Sequence, residues 1–455
     1  MNKKISLGAA IALLAIVAAA TFSITMVYSR QTFNNTILNI KERESTYSKL
    51  AEIDKWARQN FFGSINEDKL NDSIAQGYIA GLGDPYARYY TVEEYTRLTQ
   101  SGVSKSVGVG IVTELDDSGY ILVTEVYPDS PALAAGIAAG DLIVKIDETD
   151  VSADNAEEMM ETIFGEAGTK IDLVIRRDNA DTAYPLTRRD VEKPSVYSSL
   201  TPEQIGYMQI VEFGDNTADQ FSRSVDRLVS EGALALVFDV RGNQGGKTEP
   251  VTRILDKLLP QGTIVSATYK DGSTEVLATS DPAYINLPMV VITNEKTASA
   301  AELFAQALKD KVEAQLVGLT TLGKGTMQQF LQLNDGSAIS VTVAKYNPPT
   351  SPNFDGVGVK PDFEVKVTKE QADLISATDK KTAENVQFAL ETDPQLKKAL
   401  ELAITAANVN SSQNAEQASS APASSDNEES SAFEETPEET PEESAEDSDG
   451  DGEEE

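Results

Sequence analysis

Two uninterrupted apolar runs constrain this chain more than any other feature. Residues 233–240 read Ala-Leu-Ala-Leu-Val-Phe-Asp-Val, and residues 289–293 read Met-Val-Val-Ile-Thr. Neither alternates in polarity, so each predicts a strand buried on both faces. The first runs into the loop Arg241-Gly242-Asn243-Gln244-Gly245-Gly246. The second runs into Asn294-Glu295-Lys296-Thr297-Ala298-Ser299. Residues 217–229 form an amphipathic helical pattern. Ala301, Phe304, Ala305, Leu308 and Val312 recur at spacings of three and four, another helix. Such strands interleaved with helices predict an α/β sheet covered on both faces. Ser299 then sits at a strand-to-helix turn. That turn exposes its side chain at the top of the sheet, beside the first free N–H groups of the helix.

Composition narrows the chemistry. The chain has no His and no Cys. A Ser-His-Asp triad, a Cys-His pair and a Cys/His zinc site are all excluded. The base for a nucleophilic Ser299 must be Lys, Asp, Glu or a terminal amine. Lys324, in Gly323-Lys324-Gly325-Thr326-Met327-Gln328, is the natural candidate. Its flanking glycines permit close approach, and burial would favour the neutral amine. Taken singly, a serine at a helix start is an N-cap and a lysine in a loop is solvated. Neither residue carries the reading alone.

Together they resemble one family. Thr297-Ala298-Ser299-Ala300-Ala301-Glu302, then Gly-Lys-Gly and a glutamine four residues past the lysine, is similar to the carboxyl-terminal processing, or tail-specific, serine proteases. The resemblance implies a Ser/Lys dyad with Ser299 as nucleophile, Lys324 as general base and Gln328 as orienting residue. Glu302 and Asp310 occupy positions that the family fills with the same acids, in supporting roles. Residues 239–246 resemble the family's Asp-Leu-Arg-x-Asn-x-Gly-Gly segment. Acyl transfer needs N–H donors where charge develops on the carbonyl oxygen. Gly245, Gly246 and Ala300 are the candidates, although Gly-Gly alone reads as a tight turn. Lys247 and Thr248 replace an apolar pair common in the family and change a pocket wall. No cofactor and no metal are implied.

The amino terminus reads as an anchor. Lys3 and Lys4 precede residues 5–28, a stretch of 24 without a charge. At ~1.5 Å per residue it makes a helix of roughly 36 Å, enough to cross a hydrocarbon core of about 30 Å. The lysines place the terminus in the cytoplasm. Ala18-Ala19-Ala20 offers a rival reading as a cleaved signal peptide, but the apolar run continues past it. Either way the rest of the chain is expected outside the cytoplasm.

Residues 31–100 are expected to be helical. Leu70, Ile74, Tyr78 and Ile79 form an apolar stripe, and Gly81-Leu82-Gly83-Asp84-Pro85 breaks it. Thr91-Val92-Glu93-Glu94 looks like a capping box. Residues 103–191 read as short strands and turns. The series Gly108-Val109-Gly110-Ile111, Ile121-Leu122-Val123, Ser130-Pro131-Ala132, Ala135-Gly136-Ile137 and Gly140-Asp141-Leu142-Ile143 resembles a PDZ domain. In that fold Gly108, Val109, Gly110 and Ile111 offer backbone N–H groups to a peptide carboxylate, and the peptide adds a strand to the sheet. Phe164-Gly165 stands where family members often carry Arg-Gly, an arginine associated with coupling the PDZ domain to the protease site.

The domains expected are therefore an anchor over 1–30, a helical region over 31–100, a PDZ domain over 103–191 and a linker over 192–194. A catalytic domain over 195–375 and a helical region over 376–409 follow. Residues 410–455 hold 17 acids and no Lys or Arg, against a net charge of −35. They are expected to be a disordered, solvated tail. The fold class is α+β with an α/β, mixed-sheet protease domain. The activity expected is membrane-anchored endopeptidase action on extracytoplasmic proteins or peptides with exposed carboxyl termini. The alternative is a PDZ-based scaffold whose protease fold is inactive. The charge argues against nucleic-acid partners. A homodimer is left open.

Overall fold

The computed structural model describes Met26, residues 40–101, 105–377, Val386 and residues 390–420. The expected anchor, apart from Met26, and the tail beyond Ser420 lie outside the described residues. Among the described residues no helix is long and apolar enough to cross a membrane. The chain divides into two compact units, one of residues 1–102 with 327–343 and the other of residues 103–326 with 344–455.

The first unit holds the helices Ile40–Asn60, Glu67–Ala80 and Val92–Ser101. Thr91 caps the last as its sequence predicts. The Glu94 carboxylate accepts the Thr91 N–H at 3.0 Å, and the Thr91 hydroxyl accepts the Glu94 N–H at 3.2 Å. A strand, Arg88–Tyr90, lies between the helices where only helix was expected. It pairs antiparallel with residues 338–340. The break at Gly83-Asp84-Pro85 has a second role, since Asp84 accepts the Thr342 N–H at 3.0 Å.

In the second unit, residues 105–192 form the PDZ-like part. Its main path runs Ile111–Leu115, Ile121–Val126, Leu142–Ile146, Lys170–Arg177, Ala180–Thr187, so Ile111–Leu115 is an edge strand. Burial alternates along Lys170–Arg177, as a half-buried strand requires. Ser130-Pro131-Ala132 starts a short helix: the Ser130 hydroxyl accepts the Leu133 N–H at 3.1 Å, and proline takes the first turn. Tyr197 ties this part to the mostly parallel sheet by donating to Glu125 at 2.7 Å.

The mostly parallel sheet runs Val196–Leu200, Ile205–Ile210, Ala235–Asp239, Met289–Thr293, Gln315–Gly318, Phe363–Glu364. Only the first pairing is antiparallel. Every residue of Ala235–Asp239 and Met289–Thr293 is buried, as unbroken apolar runs in a parallel sheet predict. One face packs the helices Thr217–Ser230, Thr248–Leu258 and Ala300–Val312. There the Phe238 ring meets Phe304 edge-on at 5.4 Å and Phe221 at 5.8 Å. The other face is covered by Pro394–Ser420, whose Leu396, Ala399, Leu400 and Ala403 pack on Tyr207, Val237, Val290 and Ile292.

Pro394–Ser420 corrects the expected tail boundary. The helix continues through residues 410–420, where composition predicts a disordered tail. Its packed first turns supply the costly nucleus from which the helix propagates.

Candidate active site

Ser299 lies where Met289–Thr293 turns into Ala300–Val312. The turn is fastened to the neighbouring glycine loop. Thr297 donates its hydroxyl to Val240 O at 2.9 Å, and the Ala298 N–H donates to Asn243 O at 2.9 Å. Ser299 itself has φ 57° and ψ −117°. An ordinary N-cap takes extended φ and ψ, so capping does not explain this conformation. Strain of this kind persists only where the surroundings enforce it.

Glu302 supplies that enforcement. It is fully buried. One oxygen accepts the Ser299 N–H at 2.8 Å and the Lys324 N–H at 2.8 Å. The other accepts the Gly323 N–H at 2.6 Å and the Thr321 hydroxyl. The supporting acid inferred from the sequence thus joins the backbones of the candidate nucleophile and candidate base through a single carboxylate.

The glycines around Lys324 are dictated by close approach. A Cβ at Gly323 would lie 2.9 Å from Gly358 N, and one at Gly325 would lie 2.6 Å from Asp355 N. The Gly245-Gly246 pair is equally confined. A Cβ on Gly245 would stand 2.9 Å from Ser299 Cβ and 3.0 Å from Ala300 N. One on Gly246 would collide with Phe213 O. The loop therefore lies directly against the Ser299 turn.

The candidate oxyanion donors need one correction. The Gly245 N–H donates to Asn243 Oδ1 at 2.8 Å and is not available to a substrate. Gly246 differs. In its bridge to Phe213, Phe213 N binds Gly245 O and Lys247 N binds Phe213 O, so the Gly246 N–H points the other way. The Ala300 N–H, first in its helix, has no intrahelical acceptor. Neither has a protein acceptor among the described residues.

Gln328 lies in the first unit on Thr326–Gln332, where its amide donates to Thr342 Oγ1 at 3.2 Å. Ser299, Lys324, Glu302, Gly245 and Ala300 all belong to the second. Asp310 is two turns along the helix from Glu302. It accepts the Thr350 N–H at 3.0 Å, the Ser351 N–H at 2.9 Å and the Ser351 hydroxyl. Burial would raise its pKa, but the bonds from Ser351, Thr350 and Gln306 outweigh it and hold the carboxyl below its ordinary value. Lys247 pairs with Asp215 at the surface, while Thr248 Oγ1 is 2.7 Å from the Tyr346 hydroxyl.

Sequence reasoning missed Asn243 as an individual. Its side chain binds Ile210 O at 3.0 Å as well as the Gly245 N–H, and its carbonyl holds Ala298. Arg241 was also passed over. It is buried between Asp239 at 2.6 Å and Asp393 at 2.8 Å. Desolvation works against its charge, but the two carboxylates prevail and raise its pKa. Asn243 carried a signal, a short polar side chain inside a glycine loop. Asp393, 152 residues from Arg241, carried none.

In the PDZ-like part, the carbonyls of Val109 and Gly110 accept from Ala132 N at 3.0 Å and Tyr127 N at 2.9 Å. The Gly110 and Ile111 N–H groups, anti to those carbonyls across planar peptides, point away. Ile111 faces Val126 in a non-hydrogen-bonded pair, so its N–H is directed off the free edge of the sheet. Phe164, half exposed, lays its ring 3.4 Å from the Cβ position of Gly108. Where the family's arginine would stand there is an apolar ring.

The sequence is similar to that of known proteins. The pattern described as "Peptidase family S41" matches residues 204–365, and that described as "PDZ domain" matches residues 122–177. The carboxy-terminal processing protease CtpA of Bacillus subtilis is 32% identical over 341 residues, 74% of this chain and 73% of that protein. The carboxyl-terminal-processing protease of Picosynechococcus is 34% identical over 301 residues, 65% of this chain and 72% of that one. Among solved structures, a photosystem II D1 C-terminal processing protease aligns with TM-score 0.41 and 29% identity, covering 65% of this chain and 81% of that chain. At 32% identity over 74% of its length with the Bacillus subtilis protease, and with the S41 pattern over residues 204–365, the chain belongs to the S41 family of carboxyl-terminal processing serine peptidases.

Proposed function

We propose that the protein is a membrane-anchored endopeptidase that cleaves extracytoplasmic proteins through a Ser299/Lys324 acyl-enzyme. The observation that carries this reading is Glu302, which holds the Ser299 and Lys324 backbones on one carboxylate. The neutral Lys324 amine takes the Ser299 hydroxyl proton as the oxygen attacks the scissile carbonyl. The Gly246 and Ala300 N–H groups receive the oxyanion. As the tetrahedral intermediate collapses, Lys324 passes the proton to the leaving amine. Water then attacks the ester, giving its proton to Lys324, and the acid leaves as Ser299 is regenerated. The family resemblance assigns Gln328 the orienting role. The Gly110 and Ile111 N–H groups hold the substrate's terminal carboxylate, and residues 5–28 hold the chain in the membrane with the site outside the cytoplasm.

The test is casein cleavage by the parent, Ser299→Ala and Lys324→Arg. Guanidinium stays protonated at working pH and cannot accept the serine proton. Lys324→Arg is expected to lower kcat/KM by about 10²–10⁴, the usual worth of general-base catalysis. Parent activity should climb with pH as the lysine loses its proton. Near-normal turnover in Lys324→Arg rejects the dyad.

A further inference from the structure

The peptide groups flanking Lys324 are gripped by two different parts of the chain. Glu302, on the nucleophile helix, takes the Gly323 and Lys324 N–H groups. The segment from Tyr346 to Gly358 takes most of the rest. Gly356 N donates to Gly323 O at 2.9 Å, and Tyr346 N donates to Gly325 O at 3.0 Å. The Asn353 amide donates to the same Gly325 oxygen at 2.8 Å, and Asp355 accepts the Gly325 N–H at 3.3 Å.

This segment is itself built to hold its shape. Asn353 also donates to Tyr346 O, and its Oδ1 accepts the Asp355 N–H at 2.7 Å. The second Asp355 oxygen lies 3.3 Å from Lys345 Nζ. Phe354 and Val359 are buried on either side. The segment is also tied back to the nucleophile helix, because Asp310 holds Thr350 and Ser351. One helix thus carries Ser299 at its start. Through Glu302 and Asp310 it reaches the base directly and by way of this brace.

We propose that Asn353 and Asp355 are positioning residues for the base: by fixing both peptide groups of Gly325 they set where Lys324 stands relative to Ser299. The inference rests on the reading of Lys324 as general base given above. A displacement near 1 Å in a reacting pair lowers rate by about a hundredfold while leaving substrate binding in place. Loss of the brace should therefore appear in kcat rather than KM.

The full-length protein in detergent micelles is compared as parent, Asn353→Ala, Asp355→Ala, Asp355→Asn, Ser299→Ala and Lys324→Arg. End-point labelling of Ser299 with a fluorophosphonate counts competent sites. Cleavage of a short peptide gives kcat per labelled site and KM. Asn353→Ala and Asp355→Ala are expected to lower kcat per site about ten- to a hundredfold with KM changed less than about threefold. Asp355→Asn, which keeps an acceptor for the Gly325 N–H, should recover most of the loss. Should Asn353→Ala fail to fold, Asn353→Asp removes the donor to Gly325 O while keeping the Asx turn, and it reads the same quantity. A kcat per labelled site within about twofold of the parent, the loss appearing only as fewer labelled sites, overturns the brace and leaves the segment as scaffolding. Retained turnover in Ser299→Ala or Lys324→Arg is a separate failure, that of the dyad, and removes the brace's object with it.

Discussion

Glu302 meets four donors with two oxygens. That arrangement suits a carboxylate and nothing else of similar shape. An amide in its place would aim its NH₂ at two N–H groups or at an N–H and a hydroxyl. Glu302→Gln is therefore expected to be nearly as harmful as Glu302→Ala. Leaving buried donors unsatisfied costs about 1–3 kcal/mol each, so either variant should lose several kcal/mol of stability and most activity. Urea unfolding of the two beside the parent checks this. A Glu302→Gln protein with parental stability would show that the fan of hydrogen bonds is not what holds the turn. The residue itself was legible as an acid three positions past the serine. Its fourfold role was not, because Thr321, Gly323 and Lys324 are joined to it by the fold and by no sequence period.

At the scale of elements, the readings that survived were those with a local cause. The apolar runs became buried strands because apolar side chains fill both faces, with the polar Asp239 and Thr293 only at the strand ends. Thr91 and Glu94 became a capping box, and Ser130-Pro131 a helix start, because capping is decided within one turn. The strand Arg88–Tyr90 and the helical extension to Ser420 were missed because a distant pairing and an upstream nucleus respectively decide them.

The edge strand Ile111–Leu115 carries a prediction of its own. Under the proposed capture of a peptide carboxylate by the Gly110 and Ile111 N–H groups at its start, each charge-assisted bond is worth about 1.5–3 kcal/mol. A peptide with a free acid terminus should be cleaved roughly ten- to a thousandfold faster than its amide at low concentration. Equal rates would remove carboxylate capture and leave the peptidase site untouched. The nucleophile helix carries another. Asp310 has a folded pKa below its ordinary 3.8, so its contribution is complete well above that value. It is lost as pH falls through the lower, folded value. Asp310→Asn should be less stable than the parent at pH 7, with the gap narrowing by pH 3 in urea titrations. A gap that is constant with pH would assign the effect to shape rather than charge.

Across the whole molecule, the two faces of the catalytic sheet are closed by different stretches of chain. The helices on the Phe238 face lie between residues 217 and 312, whereas the opposite face waits for Pro394–Ser420. Asp393 and Gln395 fasten that last helix to buried Arg241, at 2.8 Å and 3.0 Å. Breaking a buried ion pair by removing one partner costs about 3–5 kcal/mol, so Asp393→Ala should lower the urea midpoint and loosen the loop leading to Gly246. A chain ending at residue 392 should go further, exposing Tyr207, Val237 and Ile292, binding a hydrophobic dye and cleaving nothing. Full activity in that truncated chain would mean the sheet needs no cover on this side. The feature sets a clock on biosynthesis. A nascent chain emerges amino terminus first, so every element of the site is out before the segment that completes its core. The enzyme is then without competent proteolytic power for as long as its own unfinished copies are the nearest substrates.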